Sequence, residues 1–320
     1  LDLPHSLPAP LVRSGTPLGQ ITPQAAELTG LPPSTLVSAG GHDHVCGALA
    51  VGVTEPGNML NSLGTAEAVF LPLRRPMTDP ATGRQGYTQG AHTAGGYYVF
   101  GGSYTSGACL DWFRTAFGGQ ADHAALTAEA ERVPAGSLGV SFCPFLRLAN
   151  PPYNDPKARG AFVGLSTDVG RGALFRAVLE GIALDTRNGL EPLLVHTGVG
   201  KLRDIYAIGG STRNRLLMQI KAGVLNQPIH VMRIEESTAL GAAVLGGIGA
   251  GVYAGVADAI AALHHEETLV EPVPADVAYY EAAFQTIYKQ LYPALAAINH
   301  CTYDLQQGAQ HSNEPNESGR

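Results

Sequence analysis

The stretch that most constrains the fold is residues 40–47, Gly-Gly-His-Asp-His-Val-Cys-Gly, which lies between a strand-like and a helix-like segment. The segment before it, 34–39, is short, apolar and β-branched, as buried strands are. The segment after it, 45–51, is rich in small apolar residues and predicts a helix. A strand-to-helix turn presents its polar side chains to a cleft, so the His-Asp-His triplet at 42–44 is the first candidate site.

The triplet alone leaves three interpretations of Asp43 open. Asp43 could cap the following helix in a solvated turn. His42 and His44 could instead bind zinc, with Asp43 orienting the imidazoles. Asp43 could also be a general base that accepts the proton of a substrate hydroxyl, as phosphoryl transfer to an alcohol requires. A zinc site needs further ligands, which could come from His92, His123, His264 and His265, although none of these has motif spacing relative to the triplet.

Composition narrows the class of protein. The chain has 320 residues, 45% of them hydrophobic and 15% charged, which is enough apolar material for one large core or two moderate ones. The net charge is −7 and there is no basic cluster, so neither a nucleic acid nor an anionic membrane is expected as a partner. The four cysteines are widely spaced without a C-x-x-C pair, as reduced core cysteines are. These features predict a cytoplasmic protein.

Residues 237–257 carry no charge and imitate a membrane span. Acidic residues flank the stretch on both sides, at 235–236 and at Asp258, and six glycines leave few large apolar side chains. We therefore expect a closely packed helix here and no membrane segment.

The rest of the chain alternates between strand-like and helix-like segments, and residues 306–320 are predicted to be disordered. The predicted strands are 58–62, 67–71, 97–100, 139–146, 203–208 and 228–232. The predicted helices are 23–29, 106–117, 122–133, 170–194, 211–225, the glycine-rich stretch after 236, and 279–298.

A second strand–glycine–helix junction lies at Gly209-Gly210, between the strand 203–208 and the helix 211–225. Glycine lets the backbone approach a ligand closely, and a helix N-terminus offers free N–H groups. The junction therefore has the form of a ligand cradle. The chain contains no P-loop lysine signature.

Taken together, six segments resemble the FGGY carbohydrate kinases, the sugar and polyol kinases of the actin-like, ribonuclease-H-like ATPase superfamily. The xylulokinase-like branch is nearest, and the resemblance extends over about residues 8–300. The six segments, in family order, are 40–44, 55–65, 158–165, 176–181, 209–214 and 236–242.

The resemblance implies an α/β fold, with a mixed sheet flanked by helices, and two domains around a cleft. Residues 1–51 would be the C-terminal remnant of the first, sugar-binding domain, and 52–305 the second, ATP-binding domain. Most of the family's N-terminal domain, including its Asp-x-Gly-Thr phosphate loop, is expected to be missing. The resemblance thus implies that the protein is a carbohydrate kinase, and that this fragment alone has little kinase activity.

For the site, the resemblance implies ATP and Mg²⁺ as cofactors and a sugar or polyol as the small-molecule partner. Asp43 corresponds to the catalytic base, and His42 and His44 are expected to neighbour the sugar. No metal ligand is assigned. The residues expected to bind nucleotide are Gly64 and Thr65 at the phosphates, Gly209, Gly210 and Ser211 at the adenosine, and Asn214 at the adenine.

The predicted function is thus ATP-dependent phosphorylation of a pentulose, hexulose or polyol, and assembly into a homo-oligomer is a further expectation. Two departures from the family pattern leave the sugar open: the loop 147–152 replaces a Gly-Glu-Arg-x-Pro segment, and His44 stands where asparagine is common. The alternatives are a non-catalytic nucleotide-binding half of a split or degenerate kinase and a His-x-His zinc hydrolase.

Overall fold

The computed structural model of the chain describes residues 9–312. Its strands are β1 (Pro17–Gln20), β2 (Leu36–Ser38), β3 (Asn58–Leu63), β4 (Glu67–Leu73), β5 (Thr88–Ala91), β6 (Tyr97–Ser103), β7 (Ser141–Cys143), β8 (Ala161–Val163), β9 (Asp204–Ile208), β10 (Ile229–Met232) and β11 (Glu267–Val270). Its α-helices are α1 (Pro23–Thr29), α2 (Asp43–Ala50), α3 (Pro80–Arg84), α4 (Ser106–Phe117), α5 (His123–Glu131), α6 (Arg171–Thr197), α7 (Arg215–Leu225), α8 (Ser237–Gly249), α9 (Val256–Ala262), α10 (Pro274–Ala283) and α11 (Lys289–Ser312).

A seven-stranded mixed sheet forms the centre of the molecule, in the order β11-β10-β9-β3-β4-β6-β5. Strand β9 runs parallel to both of its neighbours, and the remaining pairs are antiparallel. Two small antiparallel pairs, β1-β2 and β7-β8, lie outside it. The predicted α/β architecture, a mixed sheet flanked by helices, is confirmed.

Successive side chains of a strand point to opposite faces of the sheet, and here the side chains on both faces are apolar. Helices therefore pack against both faces. On one face, Met59 and Val69 join a large core with helices α4, α5, α6, α7 and α10. On the other face, Leu60 and Phe70 pack with Val45 of α2. Helix α2, which begins within the His-Asp-His triplet at Asp43, is therefore fixed directly on the central sheet.

Local sequence signals explain several of the observed boundaries. Helix α1 begins where the Thr22 hydroxyl accepts a hydrogen bond from the Ala25 N–H, and it ends at Gly30, which has a φ of +70°. The predicted strands at 58–62 and 67–71 form the hairpin β3–β4 around the Gly-Thr turn. The structure confirms these elements.

Helices α2 and α8 pack almost backbone to backbone. A Cβ atom added at Gly241 of α8 would lie 1.9 Å from the carbonyl oxygen of Cys46 in α2. At the start of α2, the Thr238 hydroxyl donates a 3.3 Å hydrogen bond to the carbonyl oxygen of Asp43. Glycine at 241 is therefore what allows α8 to hold α2, and with it Asp43, in place.

Replacing Gly241 by alanine is expected to destabilise the protein by about 1–3 kcal/mol, because the new methyl group forces the two helix backbones apart. Gly246 of the same helix has open space around its Cα, so Gly246→Ala should instead raise stability by about 0.5–1 kcal/mol through helix propensity. Urea unfolding of both variants measures the difference. Equal effects of the two substitutions would contradict the packing argument.

Several predicted boundaries are wrong, among them those of the predicted strand 139–146, of which only Ser141–Cys143 (β7) is a strand. Residues 306–312 continue helix α11, so this part of the predicted disordered tail is helical, while 313–320 lie outside the described residues. The predicted helix 211–225 begins as a separate 3₁₀ turn, Gly210–Arg213, and α7 starts only at Arg215. The last predicted helix starts earlier, at Pro274, and a π-helical turn divides it.

Within residues 9–312, none of the helices combines the length and the apolar character needed to cross a bilayer. The uncharged stretch 237–257 is divided between α8 and the start of α9. The domain boundary at residue 51 stays a prediction.

Candidate active site

Asp43 is the first residue of α2, and its carboxylate is exposed, with 64% of the side-chain surface accessible. Its Oδ1 atom accepts a 2.6 Å hydrogen bond from the His44 backbone N–H and lies 2.9 Å from Nδ1 of His42. No hydrogen bond to Oδ2 is found among the described residues. One oxygen is thus held in place while the other is free to meet a substrate.

The two imidazoles beside Asp43 rest on one aromatic ring. The ring centroid of Phe100 lies 6.1 Å from that of His42 and 5.6 Å from that of His44. Burial lowers the pKa of His44, and the nearby Asp43 carboxylate only partly offsets this. His44 is therefore a neutral hydrogen-bonding group at neutral pH.

The ligand set that the zinc hypothesis requires is not assembled in residues 9–312, where no group of three or more His, Cys, Asp or Glu side chains could hold a metal ion. His92 is buried and uses both ring nitrogens on the backbone of Val53 and Ala94. His123 contacts Asp111.

The Gly64-Thr65 turn of the β3–β4 hairpin is exposed at its tip. The carbonyl oxygens of Gly64 and Thr65 accept hydrogen bonds from the N–H groups of Gly107 and Ala108, at 3.2 and 3.0 Å. A Cβ atom at Gly107 would stand 2.4 Å from the Gly64 carbonyl oxygen. The turn is therefore fixed against the first turn of α4.

The second glycine junction lies beside this turn. Gly209 has a φ of +100°, and a Cβ atom there would stand 2.3 Å from the carbonyl oxygen of Leu63, so no other residue fits without displacing β3. The Ser211 hydroxyl points at the Gly64 carbonyl oxygen, at 3.5 Å. The two predicted nucleotide segments thus meet in space.

Asn214 has a different position from the one predicted. It is the N-cap of α7 and not a residue one turn inside the helix, because the 3₁₀ turn precedes it. Its side-chain oxygen accepts from the Leu217 N–H at 3.0 Å, and its side-chain nitrogen donates to the Thr127 hydroxyl at 3.2 Å. The amide therefore links α7 to α5.

A cavity of about 680 Å³ is formed where these segments meet. It is lined by five of the six predicted nucleotide residues, Gly64, Thr65, Gly210, Ser211 and Asn214. The sixth, Gly209, lines a neighbouring groove of about 1210 Å³ that shares Gly210 with the cavity. Asp43, His42 and His44 line neither space.

Sequence reasoning missed the opposite wall of this cavity, which α4 and α5 provide. Its members carry no recognisable motif, and only the predicted helices 106–117 and 122–133 indicated that a wall was available. The wall residues are Gly107, Leu110, Asp111, His123, Ala124, Thr127, Ala128 and Glu131.

A mixed sheet with helices on both faces, and a glycine-lined cavity at the ends of β3 and β9, define an α/β protein of the actin-like ATPase fold. The model of the C-terminal domain of the FGGY family of carbohydrate kinases matches residues 59–250. The chain therefore belongs to the FGGY family, as the sequence comparison with that family predicted.

Individual relatives agree with this assignment. The crystal structure of xylulose kinase from Rhodospirillum rubrum superposes with a TM-score of 0.81 at 32% identity, covering 93% of this chain and 59% of that one. Xylulose kinase of Lactococcus lactis subsp. lactis (strain IL1403) is 30% identical over 292 residues, which are 91% of this chain and 57% of the relative. Glycerol kinase of Gloeobacter violaceus is 38% identical over 170 residues, 53% of this chain and 34% of the relative. The chain thus spans little more than half the length of the xylulose kinases it resembles.

Proposed function

We propose that this chain takes part in ATP-dependent phosphorylation of a sugar or polyol hydroxyl, with Asp43 as the general base and the 680 Å³ cavity as the nucleotide site. The observation that supports it most directly is the meeting of the Gly64-Thr65 turn and the Gly210–Asn214 segment in one cavity. A volume of this size suits a nucleotide. Family membership supports the reaction class.

In the proposed reaction, Oδ2 of Asp43 accepts the proton of the substrate hydroxyl. The hydroxyl oxygen then forms a bond to the γ-phosphorus of ATP, the bond to the β–γ bridging oxygen breaks, and ADP leaves. His42 and His44 flank the base and are proposed to contact the sugar. The Gly64-Thr65 turn is proposed to meet the phosphates.

Mg²⁺ neutralises phosphate charge in reactions of this class. The residues described here form no cage for it, and Mg²⁺ is commonly held through phosphate oxygens and water. The proposal therefore assigns no Mg²⁺ ligand to this chain.

The substrate is proposed only as a sugar or polyol, because the relatives named above act on different compounds, xylulose and glycerol. We further propose that the chain by itself binds nucleotide with little turnover. A cytoplasmic location and a homo-oligomeric state stay predictions.

Nucleotide binding tests the cavity assignment directly. We expect the chain to bind ADP in isothermal titration, and Ala128→Trp to abolish this binding by filling the cavity that Ala128 lines. Ala125 is also exposed on α5 but does not line the cavity, so Ala125→Trp should bind ADP like the wild type. If ADP did not bind, or bound Ala128→Trp undiminished, the nucleotide site would be elsewhere.

A further inference from the structure

A fully buried ion pair is linked to the lining of the proposed nucleotide cavity through Ser106, which bonds to the pair and precedes the cavity residue Gly107. The Lys221 ammonium of α7 is 2.6 Å from Oε1 of Glu67 in β4, and neither side chain is more than 2% exposed. The same carboxylate accepts hydrogen bonds from three other donors on three further elements. They are Asn61 of β3 at 2.8 Å, Thr186 of α6 at 2.7 Å and Ser106 of α4 at 2.9 Å.

These donors keep the Glu67 carboxylate charged in the interior. Burial alone would raise the pKa of Glu67, but Lys221, Thr186 and Asn61 together outweigh burial and hold that pKa below its ordinary value. A second buried carboxyl, Asp185, lines the same small internal space, and burial raises its pKa to about 7. Even a well hydrogen-bonded buried ion pair often stabilises a fold no more than apolar residues of similar volume would, since desolvation offsets its attraction. Fold stability is therefore a weak reason for this arrangement.

The position of the Glu67–Lys221 pair in the fold indicates a role in nucleotide binding. Glu67 follows the Gly64-Thr65 turn by two residues. Ser106, which donates to Glu67, is the first residue of α4, and the next two N–H groups, those of Gly107 and Ala108, hold the turn. Lys221 lies on α7, whose N-cap Asn214 lines the cavity. The carboxylate thus joins the phosphate side of the cavity to its adenosine side.

We propose that Glu67, held by Lys221, Ser106 and Thr186, is a positioning residue that fixes the Gly64-Thr65 turn and the start of α7 at the separation required to bind a nucleoside diphosphate. This inference rests on the proposed nucleotide site.

The chain contains a matched control for this cluster. Ser137 is buried and donates to Oε2 of Glu180 at 2.7 Å, and Glu180 pairs with buried Arg176 at 2.9 Å. None of these three residues lines the cavity. Ser106→Ala and Ser137→Ala therefore each remove a hydrogen bond from a buried serine hydroxyl to a buried, ion-paired glutamate. Of the two serines, only Ser106 directly precedes a residue that lines the cavity.

The experiment compares ADP binding to the wild-type chain and to both variants by isothermal titration, together with urea unfolding. We expect similar decreases in the unfolding midpoint for the two variants. The dissociation constant for ADP should rise about tenfold in Ser106→Ala, the order expected when part of a hydrogen bond to a charged group is lost. In Ser137→Ala it should stay within about twofold.

Amide hydrogen exchange without nucleotide gives a second readout that does not depend on binding. The N–H groups of Gly107 and Ala108 should exchange about tenfold faster in Ser106→Ala than in the wild type, because this substitution releases the start of α4. In Ser137→Ala their exchange rates should equal those of the wild type.

The outcomes separate the two proposals. A wild-type chain that does not bind ADP would remove the proposed nucleotide site. A wild type that binds, with Ser106→Ala binding equally well and exchanging no faster, would overturn the positioning role alone. Equal loss of affinity in both serine variants would also overturn it, since the effect would then follow general stability.

Discussion

Replacing Asp43 by asparagine is expected to lower the rate of sugar phosphorylation by about 10²- to 10⁴-fold, the usual contribution of a general base. The amide cannot accept the hydroxyl proton, yet its oxygen can still accept the hydrogen bond from the His44 N–H that Oδ1 accepts now. The fold of α2 should therefore be unchanged. Binding of ADP should stay within about twofold, because Asp43 does not line the nucleotide cavity.

The measurement is kcat for ATP consumption across a panel of ketoses, aldoses and polyols, with the complete polypeptide that the gene encodes. Asp258 supplies the control, since it too is an exposed aspartate in the first turn of a helix and accepts a backbone N–H, that of Ala254 at 2.9 Å. Asp258→Asn should keep wild-type turnover. A variant Asp43→Asn that retained most of its activity would remove Asp43 as the base.

The same panel distinguishes the alternative function. A polypeptide that binds ADP but consumes ATP with none of the sugars or polyols would be a nucleotide-binding half without catalysis, and the phosphorylation proposal would then be wrong.

Replacing Lys221 by methionine is expected to destabilise the protein by about 3–5 kcal/mol, because it leaves the Glu67 carboxylate buried without its cation. The double variant Glu67→Gln/Lys221→Met removes both charges and should recover most of the lost stability, since no buried charge is then left without a partner. The double variant tests whether the loss comes from the uncompensated charge or from the changed shape of the lysine side chain.

Urea unfolding gives the free energies for this comparison. Lys157→Met is the matched surface control, since Lys157 contacts Asp304 at 2.7 Å but is 39% exposed. Water can solvate Asp304 when its partner is removed, so this variant should unfold close to the wild-type midpoint. A loss for Lys157→Met as large as that for Lys221→Met would refute the argument from burial.

The sequence predicted those parts of the fold that depend on local signals. Thr22 and Gly30 delimit α1, and the apolar runs at 58–62 and 67–71 form the central hairpin. The Gly64-Thr65 turn could be assigned to the nucleotide site because glycine-rich junctions are readable in sequence and matched a family pattern. Its expected role stays a prediction.

The remaining features depend on contacts between distant parts of the chain. Glu67 stands at the start of an otherwise apolar strand, which indicates a buried charge. Its partner Lys221 is 154 residues away in the sequence, and nothing about a lysine on a helix predicts that its side chain is buried. The α4–α5 wall of the cavity likewise has no motif. The predicted position of Asn214 inside the helix was wrong because the short 3₁₀ turn before it has the same composition as a helix start.

The contact between α2 and α8 also sets the order in which the candidate catalytic residue can reach its final place. The Asp43 carbonyl oxygen is bonded by Thr238, 195 residues later in the chain. At synthesis rates of 5–20 residues per second, roughly 10 to 40 s separate the appearance of the two helices on the ribosome. During that interval the face of α2 that packs against α8 has no partner, so the contact that holds the Asp43 carbonyl oxygen can form only after Thr238 has been synthesised.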